Sequence, residues 1–451
     1  MTRVLLAVLC SAAVLMSCGK KDTDTTQIDD IQSRQERLHR AFDDIRSQSD
    51  FMGSVVLMHS GKVIFSDSSG FDDISKNEKS TTHSAYLIGS VSKTYTAALV
   101  LKAVDEQKLT LEQTLEAFFP TLENGHLISI KNLLQHTSGI GNYTKKGKGF
   151  FDYRTENQSS ESMLNRILAL GSDFEPGTKA EYSNSNYYLL ALILEKVYQK
   201  SFGEILSEKI TTPLNLTQTV HVRDTHQTQH SYSFDNGQWS MFPASNMSVG
   251  LGAGSIKATP TEVAIFYNAL FNGEIIPLPL VDTMKQTKNG FGLGIKPIDF
   301  FDKQGFGHGG TFDAYNAMAA YFPQEKMTLV LASNGSNDNF HDTYQQMLKS
   351  YFNQTLTDLP VAAEELARYV GQYQAIPDDP YGVTLINLDG KLANQFPDGY
   401  TQALRYEGDG RFVYDQVGAE PVYFIISDNG DRLSTRLGEK GEEEVKMKVV
   451  H

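Results

Sequence analysis

Apolar residues recur at helical spacing through residues 31–45, where Ile31, Leu38, Phe42 and Ile45 share one stripe, so the pattern predicts an amphipathic helix. Two β-rich runs, 53–59 and 62–66, flank Ser60-Gly61 and predict a hairpin. Residues 91–104 are rich in Ala, Leu and Val on more than one face, which predicts a helix buried on all sides. Further helices are expected over 111–119, 130–136, 161–170, 187–198, 261–271 and 342–352, and strands over 316–322 and 327–332. The glycine-rich stretch 290–294 reads as another strand. Helices in the middle, with strands at both ends that can pair, predict an α+β fold: an antiparallel sheet packed with helices over residues 31–358.

After Leu359-Pro360 the pattern changes. A short helix over 362–369 leads into β runs separated by Asp389-Gly390, Gly408-Asp409-Gly410 and Asn429-Gly430, which are hairpin turns. Residues 359–451 are therefore expected to form a separate all-β domain, a meander closed into a small lipocalin-like barrel. Its last run, 442–448, reads as an edge strand with solvated charges.

The first residues read as an export signal. Arg3 precedes an apolar run over 4–16, shorter than the roughly 20 residues needed to span a bilayer. The run ends Leu15-Met16-Ser17-Cys18-Gly19, which resembles the bacterial lipobox. The expectation is a signal over 1–17, an acylated Cys18 and a polar tether over 18–30. Of the two cysteines, Cys10 lies in the signal, which leaves Cys18 without a disulfide partner and available for lipid attachment. Acyl chains hold a protein to a membrane with about 0.8 kcal/mol per buried CH₂. The expected location is the cell envelope, anchored to a membrane, with the outer membrane favoured, on its periplasmic or surface face.

Composition narrows the partners. The 451 residues carry 40 Lys and Arg against 54 Asp and Glu, a net charge of −14, and this acidic balance argues against nucleic acid. At 40% hydrophobic and 21% charged residues the chain is globular. His221, His226 and His230 fall close together, but their polar, turn-rich surroundings read as a solvated loop, and there is no H-E-x-x-H; no metal or cofactor is expected. Trp239, with Tyr232, Phe234 and Phe242, can line a substrate groove or pack in a core. The partners expected are a small-molecule or peptide substrate and a membrane; the oligomeric state is open.

Three places carry chemistry. In Gly89-Ser90-Val91-Ser92-Lys93-Thr94, Ser90 and Lys93 stand three apart, on one face of a helical turn. A helix start favours an oxyanion and, together with burial, disfavours a charged lysine, so the amine can act as a base. In Glu181-Tyr182-Ser183-Asn184 a loop before a helix presents a phenol and an amide; a nearby ammonium would lower the phenol pKa. In Phe306-Gly307-His308-Gly309-Gly310-Thr311 dense glycine permits close backbone approach to a ligand at the start of a strand.

Taken together, S-x-x-K, then Y-x-N, then H-x-G resemble the penicillin-recognising serine hydrolases: class C β-lactamases, serine DD-peptidases and related esterases. Leu133–Ile140 and Gly252-Ala253-Gly254-Ser255-Ile256 are also similar to family stretches, and the resemblance spans roughly residues 51–352. It implies Ser90 as the acylated nucleophile, Lys93 as its base, Tyr182 in the same relay, and Asn184 orienting Lys93 and the substrate amide. It implies an oxyanion hole from the backbone N–H groups of Ser90 and Thr311, with His308 and Gly310 beside the substrate. The implied activity is hydrolysis, through an acyl-enzyme, of a peptide, amide or ester in the cell envelope, carboxypeptidase-like toward D-Ala-D-Ala or esterase-like. The alternatives are a catalytically inactive envelope lipoprotein that binds peptide or glycan, and a true class C-type β-lactamase. His308 stands where a lysine is more common and Gly309 lacks the usual hydroxyl, so small esters and D-amino acid amides are expected over β-lactams.

Overall fold

The computed structural model describes residues 22–449 apart from 49–50, 146–148, 223–229, 236, 302, 337–339, 355–358, 376–381, 397–400, 415–421 and 438–442. Cys10 and Cys18 lie outside the described residues. Among the described residues no helix is long and apolar enough to cross a membrane.

The centre of the molecule is an eight-stranded sheet. Its main path runs β3 (Lys296–Pro297), β4 (Phe306–Phe312), β5 (Tyr315–Phe322), β6 (Met327–Ser336), β1 (Phe51–His59), β2 (Lys62–Ser69), all neighbours antiparallel. A hairpin of Tyr232–Asp235 and Gln238–Met241 joins the end of β6 through a short parallel pairing. β1 is almost wholly buried because each of its faces meets a core. Val55 and Leu57 face a cluster with Leu38, Phe42, Tyr344 and Leu348, from α1 (Asp22–Gln48) and α6 (Phe340–Phe352). Val56 and Met58 face a larger cluster that includes α2 (Ser92–Asp105), α4 (Asn184–Tyr198) and α5 (Pro260–Phe271).

Local chemistry explains the helix ends. α3 (Ile130–Leu134) opens on a capping box between Ser129 and Asn132. α5 opens with Thr259 accepting from the Glu262 N–H and with Pro260 in its first turn. α2 carries Ala, Leu and Val all round and is buried along nearly its whole length, as its apolar pattern predicts.

Several expectations need correction. Residues 111–119 hold only a short 3₁₀ turn, Leu115–Ala117, because Leu115 and Glu116 donate their N–H groups to the carbonyls of Ile128 and Gly125. The stretch 290–294 is not a strand: Lys288 and Phe291 bridge across a tight turn, and Gly294 lies so close to α2 that a Cβ would sit 2.3 Å from the Ala97 Cβ. α1 runs Asp22–Gln48, longer at both ends than the predicted 31–45.

The C-terminal part is a nine-stranded antiparallel sheet, nearly closed, preceded by the helix Ala363–Tyr369. Its first strand, Gly371–Gln374, pairs with its last, Glu443–Lys448. The last strand also pairs with Arg432–Leu437, so it is an interior strand and not the expected edge. Lys446 accordingly lies buried, with Glu444 2.7 Å away.

Candidate active site

Ser90 sits in a 3₁₀ turn, Gly89–Val91, that runs directly into α2 and makes Lys93 the second residue of that helix. Lys93 is fully buried. Its Nζ lies 2.9 Å from Ser90 Oγ, 2.7 Å from Asn184 Oδ1 and 2.6 Å from the Ala253 carbonyl oxygen. Burial, reinforced by the charge of Lys296, holds the Lys93 amine well below the usual lysine pKa.

Tyr182 meets the same oxygen, its hydroxyl donating to Ser90 Oγ at 2.7 Å, and its ring centre lies 5.0 Å from Lys93 Nζ. Its pKa is raised, not lowered as the sequence suggested, because burial opposes the phenolate; the hydrogen bond with Ser90 offsets this only in part. Tyr182 is held from below by His136. The Glu181 N–H donates to the His136 carbonyl at 2.9 Å, the Ser183 N–H donates to His136 Nδ1 at 3.1 Å, and the two rings lie 4.5 Å apart. His136 is buried beside Lys93, and both burial and that neighbour keep its pKa well below the ordinary imidazole value.

Asn184 is the first residue of α4, three residues before the predicted start of that helix. Its Nδ2 donates to Thr144 Oγ1 at 2.8 Å and its N–H donates to Asn142 Oδ1 at 3.1 Å. Thr144 in turn donates its hydroxyl to the same Asn142 oxygen at 3.0 Å.

β4 passes close over the serine turn. A Cβ on Gly310 would lie 2.1 Å from the Ile88 carbonyl oxygen and 2.7 Å from the Ser90 N, and one on Gly89 would lie 2.8 Å from the Thr311 N. Glycine at both positions is what lets the backbones of Ser90 and Thr311 come together. Alternation along β4 puts Gly309 on the opposite side, where a Cβ would meet the Met318 methyl at 3.2 Å. His308 is buried with Nδ1 against the carbonyl of Gly309, and burial together with Lys93 drives its pKa down to about 3. It is neutral at physiological pH and supplies no cation.

A cation is nevertheless close by. Lys296, on β3 opposite Gly307, is half-buried, with Nζ 4.7 Å from the Phe291 ring centre and 5.6 Å from that of Tyr182. The expected bias against β-lactams has two grounds, a missing charge at position 308 and a missing hydroxyl at Gly309; the ammonium on the next strand bears on the first and leaves the second standing. On the Asn184 side of Ser90 opens a cavity of about 180 Å³, lined among others by Tyr143, Phe150, Val249, Thr311 and Phe312.

Ser90, Lys93, Tyr182, Asn184, Gly310 and Thr311 thus converge on one point, with His308 in the wall behind. Sequence reading missed Thr144, Lys296 and the Ala253 carbonyl. His136 and Ala253 lay in stretches recognised as family-like, without a role. His221 packs on the Phe202 ring and Asn334 donates to the His230 carbonyl; His226 lies outside the described residues.

The Beta-lactamase family model matches residues 40–351, more than two thirds of the chain. The chain belongs to the beta-lactamase family. Among curated family relatives, it is 26% identical over 256 residues to the teichoic acid D-alanine hydrolase of Staphylococcus aureus (strain MRSA252), a match covering 56% of this chain and 62% of that protein. The alignment therefore spans under two thirds of that relative's length. Among solved structures, the D-amino acid amidase of Ochrobactrum anthropi SV3 complexed with D-phenylalanine superposes with a TM-score of 0.63 at 19% identity, covering 71% of this chain and 99% of the amidase. The octameric penicillin-binding protein homologue from Pyrococcus abyssi superposes with a TM-score of 0.63 at 20% identity, covering 94% of this chain and 100% of the other, so the likeness in fold extends into the C-terminal sheet.

Proposed function

We propose that this protein is a serine hydrolase that acts, through an acyl-enzyme on Ser90, on a peptide, amide or ester of the cell envelope, with a D-amino acyl group as the acyl part. The observation that carries this reading is the setting of the Lys93 amine. A neutral amine has two N–H donors and one lone pair. Asn184 Oδ1 and the Ala253 carbonyl can only accept, so they take the two N–H groups. The lone pair is left facing Ser90 Oγ, in position to receive the serine proton.

In the reaction so read, the Ser90 proton passes to Lys93 while Oγ bonds to the substrate carbonyl carbon. The carbonyl oxygen takes the negative charge beside the backbone N–H groups of Ser90 and Thr311. Collapse breaks the bond to the leaving group, which takes a proton from Tyr182; a phenol kept protonated by burial is a donor, not a base. The proton taken up by Lys93 then returns to the neighbouring Tyr182, whose ring centre lies 5.0 Å from Nζ, which leaves both groups as they began. Water then cleaves the acyl ester and restores the serine. No metal or cofactor enters this scheme. The D-alanine hydrolase and D-amino acid amidase relatives favour a D-aminoacyl substrate. An inactive binding protein would have no need of a lysine buried with its lone pair on a serine.

The reading also places the protein in the envelope, held by lipid on Cys18. Reaction of the purified protein with a fluorophosphonate, followed by peptide mass mapping, tests the chemistry. The label is expected on Ser90 and absent in Ser90→Ala; a label on another serine would overturn the reading.

A further inference from the structure

Lys296 has no function in the scheme above. It is a half-buried ammonium packed over two aromatic rings, and among the described residues no carboxylate pairs with it. Its charge acts instead on Lys93, His136 and His308, all of which it pushes toward the neutral form. A half-hydrated cation without a counter-ion, at the edge of a reactive site, is an unfilled anion position.

Its place relative to Ser90 says which part of a substrate would fill it. The cavity beside Asn184 and Thr311 lies on one side of the serine and includes neither Tyr182 nor Lys296. Tyr182, the donor to the leaving group in the proposed reaction, touches the same Ser90 Oγ from outside that cavity, with Lys296 Nζ 5.6 Å from its ring centre. In the proposed reaction the acyl substituent would fill that cavity and the leaving group would depart past Tyr182.

We propose that Lys296 Nζ binds an anionic group, carboxylate or phosphate, carried by the leaving group of the substrate. This deepens the serine-hydrolase reading and rests on it. The group is displaced by one strand from the histidine at which the sequence pattern expected substrate contact. β3 pairs with β4 only at 296–297 and 306–307, so the ammonium reaches the site from beside the H-x-G strand rather than from within it.

The test uses three matched esters of N-acetyl-D-alanine, with leaving groups ending in a carboxylate (glycolate), a phosphate (glycerol phosphate) or a neutral amide (glycolamide). Initial rates are measured for the wild type, Lys296→Gln and Lys296→Arg. The wild type should prefer at least one anionic ester over the amide by tenfold or more in kcat/KM, the scale of one hydrogen bond to a charged group. Lys296→Gln should bring that ratio close to one, mainly through KM, and Lys296→Arg should keep most of it. Which anion is preferred tells a peptide-like carboxylate from a polyol phosphate. A wild-type ratio near one, or a ratio unchanged in Lys296→Gln while Ser90 is still acylated, would overturn the inference and leave the hydrolase reading standing. Failure of every ester to acylate Ser90 would overturn the hydrolase reading, and this inference with it.

Discussion

Thr144 fixes which end of the Asn184 carboxamide faces Lys93. Its Oγ1 accepts from Asn184 Nδ2 at 2.8 Å while donating its own proton to Asn142, so the carboxamide oxygen, and not its nitrogen, points at the amine. Thr144→Val removes that acceptor without changing size much. We expect the amide to lose its fixed orientation and kcat to fall about 5- to 30-fold, the equivalent of about 1–2 kcal/mol. Steady-state kinetics on a D-alanyl ester, with thermal melting as control, checks this; an unchanged kcat would show that Asn184 is oriented by other means.

The buried Lys93 gives the pH profile a definite sign. Its pKa in the folded protein is far below the free-lysine value of about 10.4, and only the neutral amine can accept a proton. Activity should therefore be lost as the pH falls through the lowered value, about tenfold per pH unit, and be flat above it. Neither His308, with its pKa near 3, nor His136 should contribute a limb near 6.5. The same shift means that the unfolded chain binds the extra proton, so stability should rise with pH from the folded value of Lys93 up to about 10.4. Lys93→Arg, permanently charged, should be inactive. Plots of log kcat/KM against pH, with urea melts at matched pH, test both statements.

His136 is expected to act by positioning Tyr182. Its backbone is left-handed, with φ at 56°, and its Nδ1 is an acceptor for the Ser183 N–H. Asparagine tolerates that backbone and can present Oδ1 in nearly the same place; leucine can do neither. His136→Leu should lower kcat at least tenfold with a smaller change in KM, and His136→Asn should restore a large part of it. Equal losses in both variants would argue against a specific hold on the Tyr182 loop.

Two neighbouring glycines should behave in opposite ways. Gly310→Ala would press a methyl against the backbone of Ile88 and Ser90, at 2.1 and 2.7 Å, and neither can yield without moving the serine turn. A loss of 100-fold or more in kcat is expected, along with a lower Tm. Gly309→Ala presses on the flexible end of Met318, with the Ala317 carbonyl at an ordinary 3.9 Å, and should stay within about threefold of the wild type. Kinetics of the pair separates crowding of the nucleophile from a general intolerance of side chains on β4.

The parts of this site that were readable from the sequence are those in which chemistry is local. Ser90 and Lys93 stand within one turn at the start of α2, and Tyr182 and Asn184 flank one helix start, so spacing alone brings each pair together. The Ala253 carbonyl and Lys296 join from other segments, and no short-range pattern shows a backbone oxygen aimed at an amine or a lysine leaning over a distant tyrosine. The fold follows the same division. β1, α2 and α5 are strongly patterned and were placed closely. Residues 111–119 depart from their helical pattern because the N–H groups of Leu115 and Glu116 pair with a later loop, and the last strand is not an edge because the ring-like order of the C-terminal sheet gives it a second neighbour.

The pairing of β1 with β6 joins the beginning of the hydrolase body to its end, from Phe51 opposite Ser336 to His59 opposite Met327. Until the later strand has emerged, the earlier one is a bare apolar ribbon with one hairpin partner. Closing a loop of that length is entropically slow, and it must happen before β5 and β4 can stack alongside and bring Thr311 to the serine. Catalytic competence is thus acquired late and all at once during folding, and a fragment that stops short of β6 should carry the intact S-x-x-K turn and no activity.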